Sequence, residues 1–135
     1  MKIQVRIILI LLLLNLLINC KTMKTTSLEY ADGSGNIYKL NKNSIEYIPV
    51  KPENSSSGFY SGGVAAKKEI SEQQFLEIEK LFIEIFDKKE IQIENRIKTS
   101  GVLTIVRNKK NHTIIISKSP KQTQIETELK KLLAK

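Results

Sequence analysis

The chain has 135 residues, 22 of them basic and 14 acidic, for a formal net charge of +8, with one cysteine, one histidine and no tryptophan. That length suits a single small domain and is short for two. A lone cysteine excludes an intrachain disulfide and a multi-thiolate metal cage, so the fold must rest on its apolar core.

A basic start (Lys2, Arg6) leads into an apolar run from Ile7 to Ile18 broken only by Asn15. This is the layout of an export signal, which would place the cleavage point at a cysteine, Cys20. An uncleaved anchor is the alternative, but the run makes only about 18 Å of helix against a hydrocarbon core of about 30 Å. Secretion without an anchor is the other alternative. Leu17-Ile18-Asn19-Cys20 resembles the lipobox of bacterial lipoproteins, and Asn19, where Gly or Ala is usual, is similar to the looser form in spirochaete lipoproteins. The resemblance implies a diacylglyceryl group on the Cys20 thiol, a cut between Asn19 and Cys20 with loss of residues 1–19, and acylation of the new amino terminus, typically by palmitate. One acyl chain binds a membrane marginally, whereas two or three hold a protein there permanently. The expected place is the cell envelope, on the inner or outer membrane, facing the periplasm or the outside.

Removal of residues 1–19 takes away Lys2 and Arg6 and no acid, so the net charge of the remainder is +6. The excess is spread over Lys67-Lys68, Lys88-Lys89, Lys109-Lys110 and Lys130-Lys131, with no aromatic residue interleaved. That pattern argues against a nucleic-acid partner. It suits a solvated surface, or attraction to anionic lipid headgroups or an acidic partner at about 1 kcal/mol per well-placed lysine.

With Cys20, residues 21–27 are polar and read as a tether, so the domain is expected over 28–135. Leu28 to Tyr30, Asn36 to Leu40 and Ser44 to Val50 are strand-like and are separated by Ala31-Asp32-Gly33-Ser34-Gly35 and Asn41-Lys42-Asn43, residues that accept turn geometry. They predict a meander. After the loop-like Lys51 to Ser57, Gly58 to Val64 predicts a strand that turns at Gly62-Gly63 and returns through Glu69. Ser71 and Gln74 form a capping box and Ile70 and Phe75 a hydrophobic staple. Phe75, Ile78, Leu81, Phe82, Ile85 and Phe86 then share one face, predicting a helix over 72–88, with Glu77, Lys80 and Glu84 toward water.

Residues 90–100 carry no clear pattern. Val102 to Arg107 and His112 to Ser117 predict a hairpin around a four-residue loop, Asn108-Lys109-Lys110-Asn111. Ser119-Pro120 supplies an N-cap and an N1 proline, Gln122 completes a second capping box, and Ile125, Leu129, Leu132 and Leu133 make an apolar stripe. The fold expected is α+β, an antiparallel sheet with two amphipathic helices on one face.

Chemistry-bearing motifs are sparse. His112 has no sequence neighbour suited to make it a general base or ligand, and Glu77, Glu79 and Glu84 read as a solvated helix face. There is no phosphate loop, nucleophile elbow or metal-spaced cluster, so neither catalysis nor a cofactor is expected.

A strand ending in Ser61-Gly62-Gly63, a second strand, a capped helix, a hairpin and a terminal helix over residues 57–134 resemble the order of emfourin-type inhibitors of thermolysin-like metalloproteases. Val64-Ala65-Ala66 follows the glycine pair where those inhibitors tend to carry a basic residue and a further aromatic and glycine. The resemblance implies that Tyr60, Ser61, Gly62 and Gly63 meet a protease. The alternative is that Gly62-Gly63 makes a tight turn with Phe59 and Tyr60 in or beside the core. The function expected is that of a non-enzymatic, lipid-anchored binding or structural module whose partners are the membrane, through Cys20, and an envelope protein. A membrane-tethered protease inhibitor is the second reading, and carriage of a small apolar ligand a third.

Overall fold

A computed structural model describes residues 24–134; the expected export signal, the expected Asn19–Cys20 cleavage point and the start of the expected tether lie outside the described residues. The elements run β1 (Thr25–Ala31), β2 (Ile37–Asn41), β3 (Ser44–Ile48), β4 (Ala66–Glu69), α1 (Glu72–Asp87), β5 (Gln92–Ile93), β6 (Gly101–Arg107), β7 (Lys110–Ile116) and α2 (Pro120–Ala134). All the strands join one antiparallel sheet in the order β4-β3-β2-β1-β6-β7-β5. The fold is α+β.

Alternation along the strands decides which face is buried. Leu28 and Tyr30, Tyr38 and Leu40, Ile45, Leu103 and Ile105 point to the core, where both helices lie, while Glu29, Lys39 and Glu46 sit opposite one another on the other face. One aliphatic row interrupts that polar face. Ile48, Ile37, Ala31, Val102, Ile115 and Ile93 lie opposite one another across six strands and are half-buried.

The helices begin as their caps require. Ser71 Oγ accepts from Gln74 N at 3.2 Å and Gln74 Oε1 from Ser71 N at 2.8 Å, so both halves of the capping box are present on α1. On α2, Ser119 Oγ accepts from Gln122 N at 3.3 Å, but the Gln122 amide does not close a second box. It donates instead to Thr99 O at 3.0 Å and Glu126 Oε1 at 3.2 Å, because the loop before β6 passes within reach.

Both helices cross the strands. Lys42 Nζ meets Glu72 at 2.7 Å and Arg107 meets Glu79 at 3.7 Å, which carries α1 over the half of the sheet where β1 begins. The bonds of Gln122 to Thr99 and of Glu126 to Tyr30 carry α2 over the half where β1 ends.

Four further expectations are corrected, and a stretch the sequence left open, residues 90–100, is settled. Residues 25–27 belong to β1 rather than to a tether: Thr25 is buried, its hydroxyl accepts from Arg107 Nε at 2.9 Å, and a bulge beside it keeps it on the core side. Residues 58–64 form no strand, because Ser57 Oγ takes up the amides of Phe59 and Tyr60 and Gly58 has φ +74°. The hairpin turns on two residues, not four, with Asn108 (φ 50°) and Lys109 (φ 62°) both left-handed and Arg107 opposite Lys110. The unpatterned stretch 90–100 is folded: β5 pairs with β7, and Ile97 and Ser100 close a turn. Glu79 is not on the wet face of its helix but is mostly buried against Arg107.

Tyr30, Tyr38 and Tyr47 lie side by side across β1, β2 and β3, with ring centroids 6.2 and 4.9 Å apart. Gly101 makes room for the Tyr30 ring, since a Cβ there would come within 2.7 Å of it. Tyr30 donates to Glu126 Oε1 at 2.6 Å. Burial, then the hydrogen bond and charge of Glu126, hold the Tyr30 hydroxyl well above its ordinary value, and burial pushes Tyr38 up to about 12. Each keeps its proton in the folded state where the unfolded chain has lost it. Stability is therefore undiminished below about pH 10 and falls as pH rises through and beyond it. Urea unfolding followed from about pH 8 to about pH 11 is expected to show this loss, with a shallower slope in Tyr30→Phe; equal slopes in the two proteins would contradict it.

Candidate functional site at the end of the sheet opposite the chain entry

The turn between β1 and β2 is organised by Asp32. Its Oδ1 accepts from Ser34 N at 2.9 Å and Asn36 N at 3.0 Å, and Gly35 adopts φ +96°. Asn36, buried next to it, links three segments. Its Nδ2 donates to Asp32 Oδ2 at 2.8 Å and to Tyr60 Oη at 3.2 Å, and its Oδ1 accepts from Val50 N at 3.0 Å.

Those contacts close the neck of the long connection between β3 and β4. Gly62 N donates to Val50 O at 2.9 Å and Tyr47 Oη to Gly62 O at 2.6 Å. A Cβ on Gly62 would overlap Asn36 Oδ1 and press on Pro49, so only glycine fits this close approach. The connection is thus an Ω-like loop pinned at its base.

The four residues singled out for partner contact are brought to this end of the sheet but play different parts. Gly62 is an internal anchor. Gly63 supplies a left-handed turn (φ +94°), and its amide donates to Ser61 Oγ at 3.2 Å. Tyr60 is partly exposed. The side chains that stand out into solvent are Phe59, 91% exposed, and Val64, 85% exposed. Sequence reasoning missed them as contact residues, having placed Phe59 in a strand or beside the core. The available signal was an aromatic residue after Ser57-Gly58 with no apolar partner at strand or helix spacing.

Beside the loop lies an open trough. One cavity of about 460 Å³ runs from the β1–β2 turn past Tyr47 to Lys118, Gln122 and Lys130, and a second of about 480 Å³ runs past Ser55 and Asn54 to Arg96 and Ile97. Gly33, Ser34, Tyr60 and Lys98 line both, so the two adjoin one another, and together they are called the trough. The loop carrying Arg96 and Lys98 is held down by Arg96 Nη2 donating to Asp32 O at 2.8 Å. Gly33 permits that contact, because a Cβ would overlap Lys98 O.

The trough carries a net positive charge, with Arg96, Lys98, Lys118 and Lys130 along it against Asp32 and Glu126. Its acids are committed internally, Asp32 to its own turn and to Asn36, Glu126 to Tyr30 and Gln122. Lys98, Lys118 and Lys130 are exposed, and among the described residues none of them pairs with a carboxylate. Gln122 Oε1 is buried without a hydrogen-bond partner there. His112 lies elsewhere, in a separate cavity with Asp87, Lys89 and Arg107, and makes no hydrogen bond with Asp87. Among the described residues no cluster of His, Cys, Asp or Glu is arranged to hold a metal ion.

Gly62→Ala is expected to lower stability by about 1–3 kcal/mol, the cost of breaking the bonds of buried Asn36, whereas Gly63→Ala, with open space around it, is expected to cost about 1 kcal/mol of backbone strain. Urea unfolding of the two variants checks the order, and a Gly63 effect larger than that of Gly62 would overturn this account of the loop's base.

No protein-family model, no curated protein and no solved structure matches the chain.

Proposed function

We propose that the protein is a lipid-anchored, non-enzymatic binding module of the cell envelope, held at a membrane surface through Cys20 and presenting the trough and the Phe59 loop to a protein partner. The observation that carries this reading is the direction of β1. The strand begins four residues after Lys21 with Thr25 and ends at the Asp32 turn, so the chain enters at one end of the sheet and the trough lies at the other. Residues 21–24 can reach at most about 14 Å, and β1 adds roughly 20 Å more. An anchor at Cys20 thus holds the entry end near the bilayer and leaves the trough pointing away.

The charges at the entry end agree with this orientation. Lys24 lies there, as does the Lys109-Lys110 turn, because Thr25 pairs with Arg107 just before it. Lysines in such positions favour an anionic leaflet by about 1 kcal/mol each. Among the described residues no helix is long and apolar enough to cross a membrane, so attachment in this reading depends on the lipid.

A second reading, a tethered inhibitor of a thermolysin-like metalloprotease, draws on the pinned loop, which presents Phe59 and Val64 with little ordering left to pay for on binding. Residues 58–64 form no strand, so the element order behind the emfourin resemblance lacks its first member here. Phe59→Ser would abolish inhibition of such a protease without releasing the chain from membranes.

For the first reading, Cys20→Ser is expected to abolish incorporation of labelled palmitate and move the protein from the membrane to the soluble fraction. Retention of the variant in washed membranes, unlabelled, would overturn the lipid anchor.

A further inference from the structure

We propose that the trough binds an extended acidic segment of a partner protein, with Arg96, Lys98, Lys118 and Lys130 meeting its carboxylates and Ile97, Tyr60 and Phe59 meeting its apolar side chains. The proposal rests on the display reading only for the direction in which this end of the domain points.

Shape is the first argument. Two adjoining open cavities that share four lining residues suit a stretch of chain that runs from one to the other better than a compact small molecule, which is held in an enclosed pocket. Charge is the second. The cations lie along the length of the trough, Arg96 and Lys98 at one part and Lys118 and Lys130 at the other, while both acids that line it are already hydrogen-bonded within the fold. Carboxylates of a partner would meet Lys98, Lys118 and Lys130 free, and Arg96 through the donors it does not use on Asp32 O, without displacing an internal ion pair.

The third argument selects a polypeptide over other polyanions. Ile97, 54% exposed, lines the trough; Tyr60, 43% exposed, lines both of its parts; and Phe59 adjoins Tyr60 in the chain. Aromatic and arginine side chains with apolar neighbours are the usual composition of protein-binding surfaces. A sulfated or uronic glycan would use the cations and leave Phe59 and Ile97 idle, and in the proposed orientation this end of the domain points away from the bilayer. The walls are also preformed, since the turn, the loop neck and the Arg96 loop are tied together through Asp32 and Asn36. Little of the binding free energy is then spent on ordering.

The test titrates the full chain, in nonionic detergent micelles, into a fluorescently labelled short peptide of alternating glutamate and leucine, read by anisotropy at fixed ionic strength. The Lys98→Glu/Lys130→Glu double variant is expected to weaken binding by at least about tenfold and Phe59→Ser by about threefold. Lys109→Glu/Lys110→Glu, the same change of charge at the other end of the sheet, is expected to stay within about twofold of the parent. Circular dichroism of each variant establishes that it is folded. Absence of peptide binding, equal losses in the two double variants, or equally tight binding of an all-glutamate peptide or of dextran sulfate would overturn the proposal. Because the readout is in micelles, such a failure is independent of whether palmitate is found on Cys20.

Discussion

β1 is held on both sides, and its pairing with β6 is the constraint on which the rest of the structure depends. β1 to β4 form a local meander, and β6 and β7 a local hairpin; only the register of Leu28 with Ile105 and Tyr30 with Leu103 makes one sheet of them. That continuity gives the helices a single floor wide enough to cover. Leu28, Tyr30, Leu103 and Ile105 lie at its centre and are buried under α1 and α2. The same pairing fixes polarity. With Thr25 against Arg107 and Ala31 against Val102, the chain entry and the Lys109-Lys110 turn share one end, while the Asp32 turn, the start of β6 and the loop before it share the other. In the proposed function, attachment and binding are therefore separated by the length of a central strand.

At the far end, three connections of unrelated sequence are joined by a few polar side chains. Asp32 and Asn36 hold the β1–β2 turn, Asn36 reaches Val50 and Tyr60 in the long loop, and Arg96 reaches back to the Asp32 carbonyl. Gly33 and Gly62 let the backbones come close enough for those contacts. At this end the two acids, Asp32 and Glu126, are hydrogen-bonded within the fold while Lys98, Lys118 and Lys130 are exposed, which is how a modest excess of basic residues becomes a local field.

Local signals in the sequence were sufficient for the elements that make their own case. The Ser71–Gln74 box, the Phe75 to Ile85 stripe and the alternation in β1, β2 and β3 identify α1 and the meander because each is written within a few residues. What was illegible depends on distant partners. Thr25 is polar yet buried, since Arg107, far along the chain, satisfies its hydroxyl; Glu79 leaves the wet face of α1 for the same arginine. Gln122 has the spacing of a capping residue but finds Thr99 and Glu126 first. In the hairpin, Lys109 takes a left-handed conformation normally signalled by glycine, so the turn read two residues too long. Of the candidate site, Tyr60 to Gly63 were singled out through the resemblance of the glycine pair to emfourin-type inhibitors, whereas Phe59, Lys98, Lys118 and Lys130 became a set only through the fold.

The proposed separation of lipid anchor and trough is tested most directly by the distance of each end from the bilayer. Single cysteines placed at Lys109 and at Phe59 in the lipidated protein, each carrying a fluorophore, can be read against spin-labelled headgroups in reconstituted vesicles. The account predicts strong quenching at position 109 and little at position 59, in keeping with a separation of roughly 20 Å along β1. Equal quenching at the two positions, or stronger quenching at 59, would contradict it.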